Sequence, residues 1–280
     1  MTNTSAVLNS VLLSLLAGLG TGLGGLIAVI RKPGRRSFGC LMGVTAGVMI
    51  TLSFLELVNE AWELQGYMTA TIGFAAGASF MLVIDIFIPH MRFGEVETQQ
   101  PDLPDRHDIS RRRFWKRHRR RRFHQAARVV DQRLFQTGVL LALGITVHNI
   151  PEGIAVGAGY MHMPEFGMFI AVAILLHNIP EGIATALPLS ESGVSKWDSF
   201  KVAIFSGLAE PIGALAAALF LESFGFLIPG ALAFAGGVMV FITLDELIPA
   251  AREHGHQHYT AVGIILGAIF VFLLSGLFGV

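Results

Sequence analysis

Eight stretches of this chain, at residues 6–30, 38–57, 68–88, 134–159, 166–187, 202–221, 227–248 and 260–277, are apolar and long enough to cross a bilayer. The hydrocarbon core is about 30 Å thick and takes about 20 helical residues to span. No water is available there to pair backbone N–H and C=O groups, so a crossing segment must satisfy them internally. The fold class is therefore all-α: a polytopic membrane protein with eight transmembrane helices. Composition agrees, with 14% charged residues against about 25% in an ordinary soluble domain. The first stretch is expected to persist as a helix and not to be cleaved as a signal peptide. No basic residue precedes it, and it is too long for the apolar core of such a leader. Cys40 is the single cysteine, which excludes a disulfide framework and a thiolate metal cluster.

A net charge of zero conceals a strong asymmetry. With eight spans, the connections after the first, third, fifth and seventh lie on one side, and all 20 Lys and Arg fall there. The opposite side carries Glu60, Glu63, Glu165 and Glu222 and no basic residue. The positive-inside rule makes the basic side cytoplasmic and puts both termini outside, as expected of a multi-pass protein of the cell inner membrane. The chain then divides into residues 1–91 with helices one to three, a basic cytoplasmic loop at 92–133, and residues 134–280 with helices four to eight. The loop contains RRRFWKRHRRRRFH. Such a block can bind nucleic-acid phosphate, but beside a membrane it reads first as a topology anchor on anionic headgroups. The lipid bilayer, and not nucleic acid, is its expected partner. His107, His118 and His124 in this loop are solvated side chains or contacts for departing metal.

The string HNIPEGIA occurs at 148–155 and again at 177–184, 29 residues on, each time inside an apolar stretch. Two imidazoles, two carboxylates and two amides are thereby placed in hydrocarbon, where a charged side chain costs roughly 2.5–3.5 kcal/mol on insertion scales. A bound cation compensates His, Glu and Asn together. On a helix, i+4 and i+3 are the near neighbours. Glu152 therefore faces His148 on one edge and Asn149 on the other, and Glu181 faces His177 and Asn178 likewise. Each carboxylate is placed to bridge two adjacent cations. Pro151 and Pro180 free the carbonyls of Val147 and Leu176, and Pro211, next to Glu210 in SGLAEPIGA, frees that of Gly207. A local break is expected at each.

Imidazole suits zinc, iron and nickel, and carboxylate and amide oxygens extend acceptance to harder ions such as manganese. Internal symmetry points to transport. AGVMITLSFLEL from Ala46 and GGVMVFITLDEL from Gly236 align without gaps at an offset of 190, pairing Met49 with Met239 and Glu56 with Glu246. The two spans run in opposite directions, as do spans four and five, which is the pattern of inverted repeats in secondary transporters. Met49 is either core filler or a soft ligand. Glu56, Asp85, Asp245 and Glu246, toward span ends, either line a metal path or are hydrated at the interface. His90 and the HGHQH cluster of His254, His256 and His258 face the cytoplasm, where a His-rich tract can bind metal. Clustered glycines in span one are expected to serve packing.

The two HNIPEG segments, SGLAEPIGA and GVMVFITLDELIPAA resemble the Zrt/Irt-like (ZIP) metal transporter family, most closely its bacterial type, over all eight spans. The resemblance implies uptake of divalent metal toward the cytoplasm through a two-metal site on helices four, five and six. One metal would be held by His148, Glu152, His177 and Glu181. The other would be held by Asn149, Glu152, Asn178, Glu181 and Glu210. It also implies a homodimer of 3+2+3 helix bundles in which helices one, four, five and six move as an elevator against the rest. Zinc, and with it iron, manganese, cobalt and cadmium, is then cargo, and no resident cofactor is required. The Arg-dominated loop departs from the family's histidine tract, which speaks against metal sensing there. Two rivals are an intramembrane zinc metallohydrolase, which would want the HExxH motif this chain lacks, and a metal sensor that does not transport. Because a protonated imidazole cannot coordinate, uptake is expected to weaken as pH falls.

Overall fold

The computed structural model describes residues 4–87 and 132–280. They form eight long helices: α1 (Thr4–Ile30), α2 (Arg35–Gln65), α3 (Tyr67–Phe87), α4 (Gln132–His162), α5 (Pro164–Glu191), α6 (Lys196–Ser223), α7 (Gly225–Arg252) and α8 (Gln257–Phe278). Each predicted span is one of these helices. Seven are long and apolar enough to cross a membrane among the described residues. The remaining one, α4, is 31 residues long, carries the first HNIPEGIA and is packed against α5, α6 and α7. The protein is an all-helical polytopic membrane protein. The basic loop, with His90, His107, His118 and His124, lies outside the described residues, as does the side chain of His254.

The helices are regular except where chemistry interrupts them. The expected breaks at Pro151 and Pro180 are absent, because α4 and α5 continue as α-helix through both. A proline deletes one backbone hydrogen bond, and here the flanking turns hold the helix together. The third expectation holds: α6 is interrupted at Leu208, beside the flexible Gly207, where the Leu208 N–H bonds Phe205 O at 3.2 Å in a tightened turn. Two π-helical turns, a form that recurs at functional sites, were not foreseen. They span Leu52–Val58 in α2 and Thr243–Leu247 in α7, and each contains the glutamate of the aligned repeat, Glu56 or Glu246.

The inverted repeat extends to the whole bundle. α1 packs on α5 as α6 packs on α4, α2 on α8 as α7 on α3, and α2 on α5 as α7 on α4. Exchanging α1 with α6, α2 with α7, α3 with α8 and α4 with α5 therefore maps these main contacts onto one another. The glycines show the register. A Cβ on Gly47 would collide with the Ile264 carbonyl, and one on Gly237 with the Phe74 carbonyl. These partners are again 190 residues apart. A Cβ on Gly182 would collide with Thr21 O, and one on Gly153 with Glu210 O, which relates α1 to α6 at an offset of 189. Small residues at these crossings bring backbones into contact, as lipid-embedded helices require in place of a hydrophobic driving force. The helix pair α4/α5 is thereby gripped by both three-helix sets.

Candidate metal centre

His148, Asn149 and Glu152 of α4, His177, Asn178 and Glu181 of α5 and Glu210 of α6 are all less than 5% exposed. Helix periodicity explains the convergence: within each motif the three polar residues fall on the face that meets the other helix and α6. His148 Nε2 lies 2.8 Å from Glu152 Oε1 and 3.4 Å from Glu181 Oε1. His177 Nε2 lies 2.8 Å from the same Glu152 oxygen. His148, Glu152 and Glu181 offer ligand atoms within 4.8 Å of one another, a spacing that a single cation can span.

The asparagines are anchored by their amide nitrogens. Asn149 Nδ2 donates to Ser206 O at 2.9 Å, and Asn178 Nδ2 donates to Ala17 O at 3.1 Å and also to Glu210 Oε1. Ala17 and Ser206 are 189 residues apart, so the two anchors are repeat-related. Spending the N–H₂ groups this way turns both amide oxygens away from those helices' carbonyls. Asn149 Oδ1, Asn178 Oδ1, Glu152 Oε2, both Glu181 oxygens and Glu210 Oε2 are buried without a hydrogen-bond partner. A buried polar atom left so costs about 1–3 kcal/mol, more when charged. Six such oxygens from three helices make a cluster of donors suited to a hard or borderline cation.

A narrow cavity reaches this cluster. It is lined by Met42, Ile145, His148, Glu181, Ala184 and, from the π-helical part of α7, Glu246. Met42, Ile145, Ala184 and Glu246 lie between the cluster and the end of the bundle where Arg35, Lys196 and Arg252 sit. Glu246 is thus brought to the centre's own cavity, within electrostatic reach of His148 first and then of Asp85 and Asp245. Met49 and Glu56 are placed elsewhere. Met49 is fully buried and its sulfur accepts from Thr243 Oγ1 at 3.5 Å, and Glu56 is half-buried and bonded to Ser275 of α8. His256 and His258 have ring centroids 5.7 Å apart at the basic end, with His256 edge-on to Tyr259. Sequence reasoning passed over Met42, and over Thr45, whose hydroxyl reaches His177 O at 3.2 Å from α2. Neither carries a signal in isolation.

Residues 95–275 match the family model described as ZIP zinc transporter. The chain belongs to the ZIP family. The zinc transporter ZTP29 of Arabidopsis thaliana is 37% identical over 258 residues, covering 91% of this chain and 89% of the relative. The zinc transporter ZupT of Oceanobacillus iheyensis is 39% identical over 267 residues, covering 91% and 92%. ZupT of Chlorobium luteolum is 36% identical over 278 residues, covering 95% and 96%. The ZIP likeness therefore runs through all eight helices, and the repeated HNIPEGIA lies within the region matched.

Proposed function

We propose that this ZIP protein carries divalent first-row metal ions, zinc foremost, across the cell inner membrane into the cytoplasm. The reading is carried by one observation: six unspent oxygens and two imidazoles converge in the buried core of a chain whose named relatives are zinc transporters. One cation is held by His148, Glu152, His177 and Glu181, and a second by Asn149, Glu152, Asn178, Glu181 and Glu210. Glu152 and Glu181 bridge the two. The carboxylates replace lost hydration, and two divalent ions outweigh three carboxylates in charge, so occupancy stays reversible. The mixed donor set admits iron, manganese, cobalt and cadmium beside zinc. Family membership favours transport over hydrolysis, and no resident cofactor is needed.

The basic end, with the loop at 92–133, faces the cytoplasm, and both termini lie outside. The cavity from Met42 to Glu246 is then the inward exit, with Glu246 as a ligand on the way out. The protein works as a homodimer in the bilayer, with α1, α4, α5 and α6 moving against α2, α3, α7 and α8. The test is zinc uptake by proteoliposomes, with iron, manganese, cobalt and cadmium as competitors. Wild type concentrates zinc, and the double variant Glu152→Ala with Glu181→Ala does not. Unchanged uptake by that variant, correctly inserted, removes the assignment.

A further inference from the structure

The ligand set proposed above draws on α4, α5 and α6, yet α1 reaches the same place. Its Ala17 carbonyl holds the Asn178 amide at 3.1 Å. A Cβ on Gly18 would stand 3.6 Å from Glu210 Oε1, and one on Gly20 would stand 2.9 Å from Asn178 Cβ. Thr21 lies one turn beyond Gly18 and shares its face with Ala17. Its carbonyl abuts Gly182, the neighbour of Glu181, and a Cβ on Gly207 would lie 3.2 Å from Thr21 Cβ. Thr21 is therefore packed between the α5 and α6 segments that carry Glu181 and Glu210.

Thr21 is fully buried, and its hydroxyl has no hydrogen-bond partner. Threonine within a helix ordinarily returns its hydroxyl to the carbonyl four residues back, as Thr146, Thr185 and Thr243 do with Ala142, Glu181 and Met239. Thr21 forgoes that bond beside a cluster in which six carboxylate and amide oxygens are likewise unspent, as the hydroxyls of Ser14, Ser53 and Ser206 also go unpaired among the described residues. The repeat gives the position meaning. At the offset of 189 that relates Ala17 to Ser206 and Gly18 to Gly207, Thr21 is the counterpart of Glu210.

We propose that Thr21 donates its hydroxyl oxygen to the shell of the second cation, from α1 where that helix packs beside Glu210. This rests on the two-cation reading above. Asn149, Glu152, Asn178, Glu181 and Glu210 give that cation five donor residues, and Thr21 makes a sixth. An all-oxygen, six-coordinate shell suits manganese and its harder neighbours, while the imidazoles keep the first position for zinc. A neutral hydroxyl where the repeat could have carried a second Glu210 also holds the carboxylate count at three, which keeps the second ion exchangeable.

The experiment is calorimetric titration of the purified full-length protein in detergent with Zn²⁺ and, separately, Mn²⁺. Thr21→Val removes the hydroxyl at constant shape, Thr21→Ala removes it with less bulk, and Thr21→Ser retains it. The first zinc equivalent is expected to be unchanged in all three. The second equivalent weakens about tenfold or more in the Val and Ala variants, more for Mn²⁺ than for Zn²⁺, and stays within about twofold of wild type in the Ser variant. Wild-type affinity for the second ion in Thr21→Val or Thr21→Ala overturns the proposal. So does a Ser variant as weak as the Val variant, because the effect is then packing. A wild type that binds no second ion overturns the two-cation reading itself.

Discussion

The His177 imidazole on α5 meets the Glu152 carboxylate on α4 at 2.8 Å, and it meets the same oxygen that His148 contacts at the same distance. One carboxylate thus ties together both histidines of the repeat. The other oxygen of Glu152 is buried and unspent. On the two-cation reading proposed above, both positions depend on Glu152.

Glu152→Gln is therefore expected to be the most damaging isosteric change in the cluster. It keeps the shape and removes the charge that faces two imidazoles and the cation. Contacts to a charged group contribute about 1.5–3 kcal/mol each, so zinc uptake should fall roughly ten- to a hundredfold or further. Asn149→Ala, which loses one neutral donor, should cost less. Initial rates in proteoliposomes at matched insertion decide the order, and equal losses in the two variants contradict the central position of Glu152.

Proton competition follows from the same geometry. Metal binding needs neutral imidazoles and ionised carboxylates, so it releases protons and weakens as pH falls. Zinc affinity is expected to drop steadily as the medium is acidified through the histidine range, roughly pH 7 to pH 5.5. The dependence should be shallower in His148→Gln, which has one imidazole fewer to protonate. A flat profile in wild type would mean that the histidines do not ligate.

The glycine contacts make a prediction about stability that is independent of metal. Gly47→Ala and Gly237→Ala each push a methyl group into a facing backbone carbonyl at repeat-related crossings, α2 on α8 and α7 on α3. Overpacking of this kind costs about 1–3 kcal/mol. Both variants should lower the detergent melting temperature by similar amounts. Gly276→Ala, with nothing within 4 Å of the new methyl, should leave it unchanged.

Much of this was legible in the chain because hydrocarbon removes alternatives. Long apolar stretches had to be helices, and HNIPEGIA had to place His, Asn and Glu at i, i+1 and i+4 wherever α4 and α5 met. The aligned spans two and seven announced half of the inverted repeat. What the residues did not announce depends on contacts between distant segments. The correspondence of α1 with α6 is carried mainly by Gly18, Gly24 and their partners Gly207 and Gly213, and glycines alone look like packing. The π-helical turns around Glu56 and Glu246 have no local signature, since they register an extra residue accommodated by neighbours. Proline overstated its case: Pro151 and Pro180 sit inside unbroken helix, whereas Leu208, beside Gly207, marks the real interruption.

At the end of the bundle away from the basic residues, His162 of α4 contacts Glu60 of α2 at 2.7 Å. Both side chains are partly exposed, so the pair contributes little to stability, about 0–1 kcal/mol. Its position is what matters, because it joins a helix of the proposed moving set to one of the static set. At the basic end, Lys32, two residues past the end of α1, pairs with Glu191 of α5, and α1 and α5 move together on the same reading. Replacing His162 and Glu60 by Cys in a Cys40→Ser background, and joining them with a short reducible cross-linker, should stop zinc uptake, and reduction should restore it. The same tether between Cys residues at 32 and 191 should leave uptake intact. Relative motion of α4 against α2 predicts this difference between the two tethers, whereas a fixed pore predicts none. Equal uptake with both tethers closed would mean that metal passes without the helix sets sliding.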